Sequence, residues 1–210
     1  MEKVDILTPP TFTKSGIIKT IKQAWNNEDW IGTFNLWIIQ SEPIPSVVYQ
    51  VRSPKSSWAP GKLDVTAGGH YSSGEELEDG LREVKEELGK RYKPKELTYL
   101  GRKMHVSPDV NGKMRQNIVD ISFILDNSQL STYLLQEAEV YAITSLPIGE
   151  LIKVHSKLEY QFQAEAFVAD GKTIKLDVKK DSFPFNWDNY HFKIALLADR
   201  FLKGEKNLIY

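Results

Sequence analysis

Apolar residues concentrate in two short runs, 34–40 (FNLWIIQ) and 46–52 (SVVYQVR). Both are rich in β-branched and aromatic residues and are parted by a proline-containing turn, so they predict strands. Similar runs predict strands at 97–104, 118–125 and 140–144. Residues 160–168 (YQFQAEAFV) and 172–178 (KTIKLDV), joined by Asp170-Gly171, predict a late hairpin over about 158–180. Helical spacing appears at three places. Ile17, Ile18, Ile21 and Trp25 suggest a short helix over 15–26, after an arm over 1–13 in which Pro9 and Pro10 block helix. Residues 74–90 repeat Leu77, Leu81, Val84 and Leu88 at four, three and four residues, which gives one apolar stripe. The last helix is expected over 187–202, with Ala195, Leu196, Ala198, Phe201 and Leu202 inward. Strands mixed with a few helices make an α/β or α+β fold.

Composition narrows the class. The 210 residues suit one domain with extensions, 41% are hydrophobic and 26% charged, and the formal net charge is −1. A near-neutral chain with no basic stripe beside its scattered tryptophans (Trp25, Trp30, Trp37, Trp58, Trp187) is not expected to bind nucleic acid. No apolar run reaches membrane-span length and no signal-peptide core precedes the fold, so a cytoplasmic protein is expected. With no cysteine there is no thiolate nucleophile and no Cys-type metal site.

The segment GEELEDGLREVKEELGK (74–90) carries the chemistry. Glu83, Glu86 and Glu87 fall on one side of a helix at spacings of three and four, where like charges repel by roughly 0.2–0.5 kcal/mol per pair. Read alone, this is a solvated charged face, with Arg82 and Lys90 each positioned to pair with Glu86. A divalent cation would remove the repulsion, since magnesium takes carboxylate oxygens and completes its shell with water and phosphate. The sequence in front favours the cation. Gly68 and Gly69 end a strand-like stretch, where backbone can turn sharply and approach a ligand closely.

GGHYSSGEELEDGLREVKEELG (68–89) resembles a Nudix box, whose pattern is G-x5-E-x7-R-E-U-x-E-E-x-G-U with U apolar. Gly68, Arg82, Glu83, Val84, Glu86, Glu87 and Gly89 match. Two positions depart: Glu75 stands one residue too close to Arg82, leaving Gly74 in the place of the first glutamate, and Lys90 occupies the last apolar position. The resemblance implies a single Nudix-type α/β/α sandwich over 1–210, with a mixed sheet and a catalytic loop–helix–loop at 68–90. It also implies a metal-dependent hydrolase that cleaves the diphosphate linkage of a small nucleoside-diphosphate-type or other organic substrate. Glu83, Glu86, Glu87 and the Gly68 carbonyl would hold Mg2+ or Mn2+. Arg82 would orient the glutamates, Glu86 or Glu87 would position the attacking water, and Asp109, Glu137 and Glu139 are candidate bases outside the box.

A wider resemblance runs through W-x3-F-N-L-W-I-I (30–39) and QVRSPKSSWAPGKLDVTAGGH (50–70) to the isopentenyl-diphosphate isomerase-like branch. It places Arg52 and Lys55 as contacts for the substrate diphosphate; both are equally well read as a solvated strand-end arginine and loop lysine. Isomerase activity itself is not expected, because Gly68 stands where that branch carries its cysteine, and Ala24 and Ile31 stand near its metal-binding histidines. His70 remains from that set. The alternative to hydrolysis is a non-catalytic nucleotide-binding or regulatory module on the same fold. The loop 105–117, with Arg115 and Gln116, and the late hairpin are expected to line the pocket, and the N-terminal helix or the hairpin is a candidate homodimer contact.

Overall fold

The computed structural model describes residues 2–109, 111–184 and 187–210. Its central strand is β3 (Trp30–Gln40), joined along one edge in parallel to β8 (Met114–Leu125) from Trp30 to Ile39. The other edge of β3 is shared among three antiparallel partners: β1 (Lys3–Thr8), β6 (Ala67–His70) and β4 (Ser46–Arg52). From β4 the sheet continues through β9 (Val140–Pro147) and β10 (Gln161–Val168) to β11 (Thr173–Lys179). Beyond β1 it ends on β2 (Thr13–Thr20). Strand β7 (Thr98–Pro108) covers β8, and the short β5 (Leu63–Asp64) pairs with β4. One parallel pairing in a largely antiparallel sheet fits the expected mixed sheet and α+β class.

Alternation along β3 divides the core. Phe34, Leu36 and Ile38 face helix α2 (Leu81–Leu88) through Val84 and Leu88. Trp37 and Ile39 face α3 (Ile148–Ser156) and α4 (Tyr190–Leu202) through Leu151, Val154, Ile194 and Ala198. Side chains of a strand point to opposite faces in turn, so one apolar strand serves two helical layers. A third, small core of Val4, Ile6, Ala24 and Ile31 fastens the N-terminal hairpin and helix α1 (Ile21–Asn26) to β3.

Several expectations are corrected. Residues 3–8 form a strand rather than part of an arm, and the helix expected over 15–26 begins only at Ile21. Gly16 has φ +83° within β2, Ile17 and Ile18 are each 53% exposed, and Thr20 starts α1 through a capping box with Gln23. Helix α3 was not foreseen, because Pro147 and Gly149 give its first turn the look of a loop. The acidic helix opens as a 3-10 turn over Leu77–Gly80, is α-helical only from Leu81, and stops at Gly89 with φ +67°. On α4, which starts at Tyr190, Leu196 is 40% exposed while Ile194 and Leu197 are buried.

Candidate active site

Strand β6 ends at the Gly68–His70 corner, and α2 packs across it. Register sets the corner's position: Gly68 opposes Asn35 and Gly69 opposes Phe34 on β3. A Cβ at Gly69 would lie 2.3 Å from the Glu83 carboxylate, so only glycine admits that side chain against the strand. Glu87, 4% exposed, accepts the Gly68 N–H at 3.3 Å, the one hydrogen bond to its carboxylate among the described residues.

Both carboxylates are electrostatically unsettled. Burial raises Glu83 to about 7, helped by Glu86 and Glu139 and opposed by Arg82. Burial also raises Glu87 well above the ordinary carboxylate range, with Glu83 and Glu139 adding to it and the Gly68 N–H and Arg52 pulling down. Two desolvated acids sharing so few donors fit a hard divalent cation, which would supply the missing charge.

Arg82 organises the rest. Its Nε donates to Glu75 Oε1 at 3.1 Å, Nη2 to Glu83 at 3.0 Å and Nη1 to Glu86 at 3.0 Å. Glu75 therefore reaches Arg82 despite standing one residue off the family spacing. Glu86, with a 53% exposed side chain, lies along Arg82 rather than beside Glu87. Among the described residues no three acidic or histidine groups stand ready-made as a metal cage. Lys90, at the other departure, lays its ammonium 4.4 Å from the Tyr133 ring centroid and 3.8 Å from Asp126.

Of the three candidate bases, Glu139 is near enough to raise both Glu83 and Glu87. Its chain is fixed there because Gln136 N–H caps the Glu87 carbonyl and Ser53 N–H the Glu139 carbonyl. Asp109 instead folds onto its own turn, accepting from Asn111 N–H at 2.7 Å and Lys113 N–H at 3.0 Å. Glu137 is exposed and neither Glu83 nor Glu87 feels its charge among the causes of their shifts.

Beside the glycine corner lies a recess of about 230 Å3. Arg52 lines it, with its guanidinium also held by Asp64 at 3.2 Å, by the Trp58 carbonyl at 3.0 Å and by Ser56 at 2.9 Å. Lys55 is exposed and does not line the recess. Of the stretch 105–117 expected as a loop, residues up to Pro108 belong to β7 and those from Met114 to β8; from these strands His105, Ser107, Arg115 and Asn117 line the recess, Gln116 turns away to the Glu28 carbonyl, and Val110 lies outside the described residues. The late hairpin contributes nothing to the recess among the described residues and sits at the far edge of the sheet, contrary to expectation. The sequence reading also missed the walls themselves. Trp25 from α1, Trp58, Lys103 and Tyr190 all border the recess, although those tryptophans read as core or turn residues. Tyr190 accepts from Asn35 at 2.9 Å and Trp37 at 2.8 Å, and Lys103 lies 3.8 Å from its ring centroid. Burial holds Lys103 down at about 8 and His70 at about 4.

Three buried polar atoms on residues that line this recess have no hydrogen-bond partner among the described residues: Trp25 Nε1, Arg115 Nε and Asn117 Oδ1. They lie behind its surface, so what the recess presents to a ligand is its mixed wall of charged, polar and aromatic side chains.

Comparison with known proteins supplies the context. The NUDIX domain model matches residues 34–168. An uncharacterized Nudix hydrolase of Clostridium acetobutylicum is 31% identical over 191 residues, 86% of this chain and 90% of that protein. Nudix hydrolase 3 of Arabidopsis thaliana is 31% identical over 164 residues, 74% of this chain but 20% of that much longer protein. Among solved structures, a Deinococcus radiodurans protein superposes with a TM-score of 0.52 at 20% identity, over 72% of this chain and 86% of its own. A MutT/nudix family protein from Enterococcus faecalis also gives 0.52 at 14% identity, over 85% and 65%. These likenesses speak for the fold.

Proposed function

Since this chain belongs to the Nudix family and is a Nudix-type hydrolase, we propose that it cleaves the diphosphate linkage of a small organic diphosphate with Mg2+ or Mn2+. The observation that carries this reading is the pair of half-buried Glu83 and buried Glu87, set against the Gly68–Gly69 corner with few donors between them.

In this reading Glu83, Glu87 and the Gly68 carbonyl hold the cation, and Glu86 joins them by swinging from Arg82. The bound ion supplies neutralisation of diphosphate oxygens and a more acidic water. Arg82 keeps Glu83 at a fixed angle while Glu75 anchors its far side. Arg52 offers its charge to a phosphate from the recess side, and Glu139 is placed to accept the water's proton. Lys55 would have to move to contribute. The recess takes the organic half. Its wall, with Asn35, Arg52, Trp58 and His105, favours a polar ring, such as a nucleobase, over a prenyl chain, which would match none of those polar groups.

The relation to the isomerase-like branch rests on the stretches at 30–39 and 50–70. Isopentenyl diphosphate should nevertheless give no dimethylallyl diphosphate, because Gly68 can neither donate nor accept a proton from a side chain. The test of function is a panel of nucleoside diphosphate derivatives, prenyl diphosphates and thiamin diphosphate with Mg2+ and Mn2+. Phosphate or nucleotide release that vanishes on omitting the metal and in Glu87→Gln is expected. Turnover equal in Glu87→Gln and the parent would overturn the site.

A further inference from the structure

We propose that the N-terminal hairpin, which lies outside the stretch matched by the family model, is a working part of the active site: Asp5 and Lys14 position the loop ahead of α2. The proposal rests on the reading that α2 carries the metal-binding carboxylates.

Alternation along β1 aims the contact. Val4 and Ile6 enter the small core with Ala24 and Ile31, so Asp5 between them faces the other way, onto the loop after β6. Asp5 Oδ1 accepts the Ser73 hydroxyl at 2.8 Å and Oδ2 accepts the Gly74 N–H at 2.9 Å. The Lys3 carbonyl accepts the Ser73 N–H at 2.7 Å. From β2, Lys14 Nζ donates to the Glu75 carbonyl at 2.8 Å and to Glu76 Oε1 at 2.6 Å. Each residue from Ser73 to Glu76 is thus tied to the hairpin.

The tie leads to the chemistry in two steps. Glu75 belongs to the tethered loop and holds Arg82, which in turn holds Glu83 and Glu86. This loop is also where the chain is one residue shorter than the family spacing, so Glu75 does not reach Arg82 by standard register. An untethered loop would lose conformational entropy each time it delivered Glu75, and the hairpin removes that loss in advance. Asp5 is the stronger of the two anchors. Its side chain is 15% exposed, and although burial pushes its carboxyl up, the donors Gly74, Ser73 and Lys14 bring it below the ordinary range. The Lys14–Glu76 pair is more exposed and contributes less. Asp5 touches neither substrate nor cation in this arrangement; it is a positioning residue.

The test uses Mn2+ alone, titrated calorimetrically into the full chain, so it needs no substrate. Supporting groups around a metal site are worth about 10–100-fold in affinity, so Asp5→Ala should weaken Mn2+ binding about tenfold. Ser73→Ala, which removes one hydroxyl and no charge, should weaken it about threefold, and decides the matter if Asp5→Ala fails to fold. Val178→Ala loosens the core at β11, at the far edge of the sheet, without touching the hairpin or the loop and should bind as the parent does. Parent-like binding in folded Asp5→Ala or in Ser73→Ala, or an equal loss in Val178→Ala, overturns the proposal. Absence of Mn2+ binding in the parent, or parent-like binding in Glu87→Gln, overturns instead the assignment of the metal site on α2.

Discussion

The two faces of β3 bury equally apolar side chains but end in opposite chemistries. On the α2 face, Phe34, Leu36 and Ile38 lead to a corner where half-buried Glu83 and buried Glu87 have too few donors. On the α3–α4 face, Trp37 and Ile39 lead into a dense cluster of aliphatic and aromatic residues. That second face holds acidic groups at its rim, such as Glu150 with Lys153 and Tyr160, whose partners are complete. Among the described residues its own open groups include the Tyr49 hydroxyl, His191 at both ring nitrogens and His155 at Nε2, the two imidazoles stacked 6.1 Å apart. Unmet charge marks the α2 face, whereas the α3–α4 face, whose outer end carries Thr33, Asn35 and Tyr190 into the recess wall, leaves neutral polar groups unmet, and burial keeps both imidazoles uncharged.

The sharpest way to separate the faces is Glu87→Gln. Losing one group that gathers charge at the reacting phosphate should lower kcat about 10²–10³-fold. The metal-free protein should become more stable, because a carboxylate that is costly to bury is replaced by a neutral amide. Thermal unfolding and turnover measured on one preparation would show the two changes in opposite directions. Ile194→Ala should do the reverse. A fully buried side chain is truncated in the α3–α4 cluster, outside the recess lining, costing about 3 kcal/mol and lowering Tm by about 10 °C, with KM unchanged below the transition. A KM shift there would break the division between faces.

The next effect is pH-linked. His191 has its pKa pushed well below the ordinary 6.5, by burial first and then by His155 and Lys103. Unfolded chain therefore binds a proton that the fold refuses, so His191 lowers stability as pH falls below about 6.5. Relative to the parent, His191→Phe should gain about 1 kcal/mol for each pH unit from 6.5 to 5, read from urea midpoints. A flat difference would mean that the buried ring is charged or paired. The smallest effect is expected at Leu196, whose 40% exposure on α4 should keep Leu196→Ala within about 0.5 kcal/mol of the parent.

How much of this was legible beforehand depended on whether a feature is local. The β-branched and aromatic run 34–40, the stripe Leu77–Leu81–Val84–Leu88 and the Asp170-Gly171 turn are all near neighbours in sequence, and each formed as expected. The glutamates, Arg82 and the double glycine also lie within 20 residues of one another and could be read as one site. Local signals misled where they were brief or mixed. Ile17 and Ile18 resemble the start of a helical stripe but are outward residues of a strand, fixed by pairing with β1. Pro147 and Gly149 disguise α3. The recess was not legible, because Trp25, Arg115, Asn117 and Tyr190 meet only through the sheet, from positions up to 165 residues apart. Nor does the family spacing reveal that Glu75 still finds Arg82; that follows from a loop held by a hairpin distant in sequence.

The placement of Trp25 and Trp58 on the recess wall has a practical outcome. Arg115 lies 4.2 Å from the first indole's centroid and Arg52 5.2 Å from the second. A molecule entering the recess dries these rings and disturbs the cations over them, so indole emission should change in colour and yield as the cavity fills. Trp37 is sealed in the core and Trp187 is 86% exposed, and both would stay nearly constant as background. The chain carries a built-in optical gauge of occupancy, usable on any compound before a turnover assay exists for it.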